Sequence, residues 1–307
     1  MSSRARIALA TCAELPDLDP DEAPLVAALH AARMEPVIAV WDDPAVDWAA
    51  FDLVVVRCTW DYSLRREAFL DWATALPRLC NQEPVLRWNT DKHYLADLDA
   101  SGLPVVDTSF LAPGEPLVVA QGDGEYVVKP TVSSGSRDTA RYGPGEDDRA
   151  RAHVESLLAD GRVVMVQPYL DAVDTVGETA LLFFDGVYSH AIRKGPLLAP
   201  GQDLEDGLFR AEDISARDPS VMERQVAEHV MDWVRDRFGR LLYARVDLIP
   251  GPDGSPLLLE LELTEPSLFF LTDDAAAGRM VTAIVRRLDS GRAEDLQAAA
   301  GRREAGR

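Results

Sequence analysis

Two short apolar runs, Leu242–Ile249 and Pro256–Leu263, flank Pro252-Asp253-Gly254. Alternating runs joined by such a turn form a β-hairpin. Alternate residues of a strand share a face. Glu260 and Glu262 therefore point the same way, and Asp247 on the partner strand can join them across the ladder, with Arg245 two positions earlier. Three converging carboxylates repel one another unless a hard cation holds them, and Mg²⁺ shared with nucleotide phosphates meets that need.

The chain leading to this hairpin divides in two. Short apolar runs at Ile7–Thr11, Val37–Trp41 and Asp52–Arg57 surround a helical stretch over Asp21–Met34. That alternation predicts a parallel sheet flanked by helices. A second helix, about Leu64–Leu76, lines up Phe69, Trp72, Ala73 and Leu76 on one face. Residues 1–87 thus form an N-terminal α/β unit. From Trp88 the pattern changes. Asn89-Thr90-Asp91-Lys92 opens a helix with a capping residue, and Gly102 with Pro104 ends it. Strands follow at Tyr126–Lys129, Val163–Tyr169, Thr179–Phe184 and Val187–Lys194, the last two joined by Asp185-Gly186. Gly195–Leu208 reads as a long functional loop, Val221–Phe238 as a helix, Ala275–Leu288 as a final helix, and 290–307 as a flexible tail. The 88–289 half is a mixed or antiparallel assembly, with a lid subdomain at about 100–168 and a C-terminal subdomain at about 169–289.

Composition excludes several classes. With 31 Lys and Arg against 52 Asp and Glu, the net charge of -21 repels a nucleic-acid backbone. Cys12, Cys58 and Cys80 are odd in number and widely spaced, so neither a disulfide framework nor a thiolate zinc site is expected. The apolar stretch after Arg4 and Arg6 is short and soon meets acids, so it reads as a strand and not a signal peptide. No apolar run approaches the roughly 20 residues that span a bilayer. The expectation is a cytoplasmic protein without membrane or nucleic-acid partners, for which a homo-oligomer is permitted. The five histidines, His30, His93, His153, His190 and His229, show no ligand spacing.

A second chemical motif is Lys129-Pro130 followed by Thr131-Val132-Ser133-Ser134-Gly135-Ser136-Arg137. A lysine at a strand end before a hydroxyl-rich loop can cradle phosphates through backbone N–H groups and Ser hydroxyls. It is not a P-loop, in which Gly comes first and Lys-Ser/Thr opens a helix. Arg57 and Trp60 follow a strand of the N-terminal unit, where ligands of open α/β sheets lie. Arg193 and Lys194, at a strand end before the long loop, join Arg245 as candidate groups for phosphate or a substrate carboxylate.

Taken in order, Lys92 in RWNTDK, KPTVSSGSR, VQPYL, Asp247 and ELELTEPS resemble the ATP-grasp superfamily. The likeness is to glutathione-synthetase-like members and to the O-ureido-serine cyclo-ligase that closes the D-cycloserine ring, and it covers about Trp88–Leu288. It implies an α/β (α+β) ATP-grasp fold in which a Rossmann-like N-terminal domain precedes mixed and antiparallel sheets that clasp ATP. It implies that Lys92 and Lys129 contact ATP phosphates and that Ser133, Ser134, Gly135 and Ser136 close over them. Gln167, Pro168, Tyr169 and Leu170 would read the adenine edge and Glu178 the ribose. Asp247, Glu260 and Glu262 would hold one or two Mg²⁺ ions, with Mn²⁺ able to substitute; many relatives carry Asn where this chain has Glu262. Thr264, Glu265 and Ser267 would contact substrate, Glu265 gripping an amine. The implied activity is an ATP-dependent carboxylate–amine ligase that joins small amino-acid substrates through an acyl phosphate, with a place in specialised-metabolite (antibiotic) biosynthesis. An intramolecular cyclo-ligase, a phosphotransferase acting on a hydroxyl and a non-catalytic ATP-binding protein are its alternatives.

Overall fold

The computed structural model describes residues 4–116, 124–196, 198 and 213–305, with side chains as far as 291. The long-loop expectation for Gly195–Leu208 falls largely outside the described residues.

The N-terminal unit contains β1 (Arg6–Thr11), α1 (Ala23–Ala31), β2 (Glu35–Val40), β3 (Leu53–Cys58) and α2 (Arg66–Thr74). The strands pair in parallel in the order β2-β1-β3, as the alternation with α1 requires. Both β1 and β3 are buried almost throughout, which explains their continuous apolar character. Residues 78–80 add a short pairing to the outer edge of β3 through Val54.

Two short helices follow, α3 (Glu83–Asn89) and α4 (Tyr94–Ala100). Here the structure corrects the sequence reading: Asn89 and Thr90 close α3, and the next helix begins only at Tyr94, without a side-chain cap. Gly102, at φ 82°, terminates α4 as expected, and Gly102 N–H and Leu103 N–H close onto Asp99 O and Leu98 O. The next elements are β4 (Ser109–Leu111), β5 (Tyr126–Pro130), β6 (Ala140–Tyr142), α5 (Asp147–Ala159) and β7 (Val164–Pro168). These strands form an antiparallel sheet in the order β4-β7-β5-β6, covered by α5 through Ala150, Val154 and Leu157.

The remainder comprises α6 (Ala172–Thr175), β8 (Glu178–Phe184), β9 (Val187–Lys194), β10 (Ile214–Ala216), α7 (Val221–Phe238), β11 (Tyr243–Pro250), β12 (Pro256–Glu262) and α8 (Ala276–Ala305). Among the described residues its strands make one antiparallel sheet, β10-β9-β8-β11-β12. Asp185 (φ 51°) and Gly186 (φ 73°) are both left-handed, the geometry of a two-residue turn whose twist matches the flanking strands. α7 begins with a complete Ser220/Glu223 capping box. The backbone of α8 continues helical to Ala305, past the point where a tail was expected.

One continuous core joins the N-terminal unit, α3, α4, α7 and the face of the large sheet that carries Val246 and Leu261. A second core packs α1 and α8 against β1, β3 and the face bearing Ala180, Leu182 and Ile192. Among the described residues no helix is long and apolar enough to cross a membrane. Cys12, Cys58 and Cys80 are free and buried, and burial pushes the Cys58 and Cys80 thiols up to about 12.

Candidate active site

Strand register builds the site. Arg245 pairs with Glu262 and Asp247 with Glu260 across β11 and β12. Asp247 also faces Ala180 on β8, and Glu178, two residues from Ala180, faces Lys194 on β9. Paired residues and alternate residues share a face. Lys194, Glu178, Arg245, Asp247, Glu260 and Glu262 therefore occupy one face of the large sheet. Arg193 pairs with Thr179 and lies on the other face. It donates to Val176 O at 2.8 Å and meets Asp213 at 3.2 Å. Two successive strand residues cannot both enter one site, and the register admits only Lys194. Gly177, at φ 78°, makes the approach possible: a Cβ there would stand 2.5 Å from Lys194 O.

Opposite this face, β5 and the turn after it supply Lys129, Ser133, Ser134, Gly135 and Ser136. Gly135 and Ser136 both have positive φ, and Arg137 N–H closes the turn on Ser134 O at 3.2 Å. Lys92, from the α3–α4 connection, donates its backbone N–H to Thr131 O (2.8 Å) and its ammonium to Ser133 O (3.0 Å). Between the two surfaces lies a cavity of about 600 Å³. Its lining includes Lys92, Lys129, Ser133–Ser136, Gln167–Leu170, Glu178, Lys194, Arg245, Glu260, Glu262, Glu265, Ser267 and Trp60.

The charges are arranged as opposed groups. Lys92 Nζ lies 3.1 Å from Glu260, and Lys194 Nζ lies 2.9 Å from Glu178 and 2.7 Å from Asp247. Arg245 grips Asp247 with two bonds of 2.9 Å and also contacts Glu262. Burial works against an ionised Glu260, yet Lys92, Lys129 and Lys194 outweigh it and hold the carboxyl down at about 2. Glu262 goes the other way. Burial, together with Glu260 and Asp247, pushes it up to about 7 despite Arg245, whose charge Asp247 shares. Glu265 rises to about 8 through burial and Glu262. Lys129 is lowered mainly by burial and makes no hydrogen bond or ion pair with the described residues.

These carboxylates suit a divalent cation. The three acids do not by themselves stand close enough to cage a metal among the described residues. Mg²⁺ instead takes one or two carboxylates plus phosphate oxygens and water, and Glu260 and Glu262 reach the cavity with more negative charge than they can carry unneutralised. Asp247 is fully buried beneath them, both of its oxygens taken by Arg245 and Lys194.

Two expected substrate residues stand outside the cavity lining. Arg57 is buried, bonded to Glu22 at 3.0 Å through Nε, and donates to Pro266 O at 2.8 Å. It braces the N-terminal unit against the segment after β12. The Thr264 hydroxyl donates to Asn89 (3.2 Å) beneath the wall. Sequence reasoning left out several residues of the lining. Val127, Val173, Ile249 and Leu259 form an apolar wall near Tyr169 and Leu170, and Phe269 and Asp19 join the lining elsewhere. Val127 could have been found by counting two residues back from Lys129 on the same strand face. Asp19 and Phe269 lie outside regular strands and helices, where no local period announces them.

Residues 7–81 match the family model described as the N-terminal domain of D-cycloserine synthetase DcsG. The chain is 39% identical over 299 residues to the cycloserine biosynthesis protein DcsG of Streptomyces lavendulae, covering 92% of this chain and 98% of that protein. The crystal structure of D-cycloserine synthetase DcsG superposes with a TM-score of 0.83 at 37% identity, over 92% of this chain and all of that one. A D-alanine–D-alanine ligase from Bacillus anthracis, solved with ATP, shares the fold at 16% identity, with a TM-score of 0.64 over 95% of this chain and 99% of its own. An N-terminal α/β unit, a lid sheet and a carboxylate-bearing sheet around one cavity thus form the ATP-grasp fold, and the chain belongs to the D-cycloserine synthetase (DcsG) family of ATP-grasp ligases.

Proposed function

We propose that this ligase activates the carboxylate of a single amino-acid derivative as an acyl phosphate and closes it onto a nitrogen of the same molecule, as a step in making an antibiotic-like metabolite. The observation that carries the activation step is the placement of Lys92 and Lys129 against Glu260 and Glu262 in one cavity, with Lys194 beside the carboxylates on their own sheet face. The intramolecular choice rests on the near full-length likeness to a cycloserine biosynthesis protein.

ATP with Mg²⁺, when bound, supplies the phosphoryl group that makes the carboxylate reactive. Glu260 and Glu262 would hold the metal, and Asp247 orients Arg245 and Lys194 through its hydrogen bonds to both. Lys92, Lys129 and the Ser133–Ser136 turn neutralise the triphosphate, while Gln167–Leu170 and the wall of Val127, Val173, Ile249 and Leu259 take the base and Glu178 the ribose. Glu265, which lines the cavity with Tyr62, receives the ammonium of the substrate. The attacking nitrogen forms the new C–N bond, phosphate leaves, and no enzyme nucleophile is required.

The test is ADP release by purified protein with Mg-ATP, screened against single amino-acid derivatives, O-ureido-serine among them, and then against pairs. Release with one compound and a cyclic product supports the proposal. Release that demands two compounds makes the enzyme an intermolecular ligase, and a phosphorylated product without an amine makes it a phosphotransferase. Glu260→Gln should lower ADP release by about 10²–10³-fold, the cost of removing one charge-stabilising group, without loss of folding. Retained activity would refute the metal assignment.

A further inference from the structure

The turn after β3, Thr59–Leu64, belongs to the N-terminal unit but touches both ends of the reaction cavity. Ser134, in the middle of the phosphate-facing turn, donates its hydroxyl to Trp60 O at 2.5 Å. With that proton committed, the 3.2 Å contact between Ser63 Oγ and Ser134 Oγ has Ser63 as donor. The Ser134 hydroxyl is therefore occupied by the N-terminal unit. On the other side, Trp60 Nε1 donates to Glu265 O at 3.2 Å, and Tyr62 and Glu265 line the same cavity.

The turn itself is rigid. Tyr62 N–H and Arg65 N–H close onto Thr59 O and Tyr62 O, both at 2.9 Å, and the buried Asp61 carboxylate accepts from Trp41 Nε1 at 2.9 Å and pairs with Arg65. One stiff element thus joins three separate parts of the chain: its own unit, the lid sheet through Ser134, and the substrate end through Glu265.

We propose that the Thr59–Leu64 turn is a latch that registers the phosphate-facing turn against the substrate end, with Ser134 as its positioning residue. This rests on the acyl-phosphate reading given above. If the latch opens, water reaches the acyl phosphate; its oxygen bonds to the acyl carbon, the bond to phosphate breaks, and carboxylate and phosphate are released with ATP spent and no C–N bond made.

The experiment counts ADP and cyclised product per turnover in wild type, Ser134→Ala, Ser63→Ala and Ser134→Thr, and records hydrogen exchange with a non-hydrolysable ATP analogue and Mg²⁺. The latch predicts an ADP-to-product ratio near one in wild type that rises severalfold in Ser134→Ala, rises less in Ser63→Ala and recovers in Ser134→Thr, while the KM for ATP moves by less than about threefold. It also predicts that the analogue protects residues 131–137 and 59–64 together in wild type and only 131–137 in Ser134→Ala. A Ser134→Ala enzyme that keeps a ratio of one overturns the proposal, whether its KM for ATP rises tenfold, as for a phosphate ligand, or stays unchanged. Protection of 131–137 without 59–64 in wild type overturns it as well. If wild type releases no ADP with any amino acid, the ligase reading fails by itself and the exchange measurement still decides the latch.

Discussion

Replacing Asn89 separates two roles for one side chain. Its Nδ2 donates to Leu261 O at 2.7 Å, while its Oδ1 accepts from Leu263 N at 2.7 Å and from the Thr264 hydroxyl at 3.2 Å. These bonds hold the end of β12, the strand that carries Glu260 and Glu262, against α3. Each net bond is worth about 1 kcal/mol, so Asn89→Ala should cost about 3 kcal/mol, with the two orphaned main-chain groups keeping the loss from being smaller. At the low end of roughly 2–4 °C per kcal/mol, the melting temperature should fall by about 6 °C. A helix cap would lose only about 1 kcal/mol on the same change. Asn89→Asp sharpens the contrast. Asp and Asn cap equally well, but here a carboxylate would face the Leu261 carbonyl beside three acids, and the variant should be less stable than Asn89→Ala. Calorimetry without ligands reads both, with Asn81→Ala as a companion, since Asn81 holds Tyr243 O, Leu263 O and Leu242 N at 2.8–2.9 Å in the same manner. A fall of less than about 3 °C in Asn89→Ala, or an Asn89→Asp protein as stable as wild type, would refute the bracing role.

Two more predictions concern charge. Glu265 is raised from the ordinary carboxyl range to about 8, so between pH 5 and 8 the folded state holds a proton that the unfolded chain has released. Its stabilising contribution is complete in acid and is lost as the pH rises through about 8. Thermal melts of the ligand-free protein should show stability falling over that window, with a shallower fall in Glu265→Gln; an identical slope in the variant would remove Glu265 as the cause. Arg57 and Arg193, both read from the sequence as active-site groups, should behave oppositely. Arg57→Ala leaves the buried Glu22 carboxylate alone and should cost about 3–5 kcal/mol of stability. Arg193→Ala should leave stability within about 0.5 kcal/mol and ADP release within about twofold, and a hundredfold loss of release would return Arg193 to the site.

The family relationship places the chain among ligases, and on the proposed reading the site's specificity lies in the end away from the phosphate-facing turn. Trp60, Tyr62, Glu265, Ser267 and Phe269 line that end. They come from two units of the chain, which the shared cores join and which Arg57, Asn81, Asn89 and Tyr243 further tie to β11 and the segment after β12.

What the sequence determined by itself was periodic or local. The two-residue alternation of β11 and β12 placed Asp247, Glu260 and Glu262 on one face, and Asp185-Gly186 demanded a tight turn. The order of Lys92, KPTVSSGSR, VQPYL and ELELTEPS carried the family likeness before any packing was known. Tertiary structure decided everything that depends on which face meets which neighbour. It chose Lys194 over Arg193, buried Asp247 beneath its two cations, made Asn89 a brace for the end of β12, and took Arg57 and Thr264 out of the cavity lining. It also brought Ser134 to Trp60, 74 residues away in the chain. The reason is physical: a strand's period is written residue by residue, whereas contacts between units follow from how their buried faces pack, and no short window of sequence contains both partners.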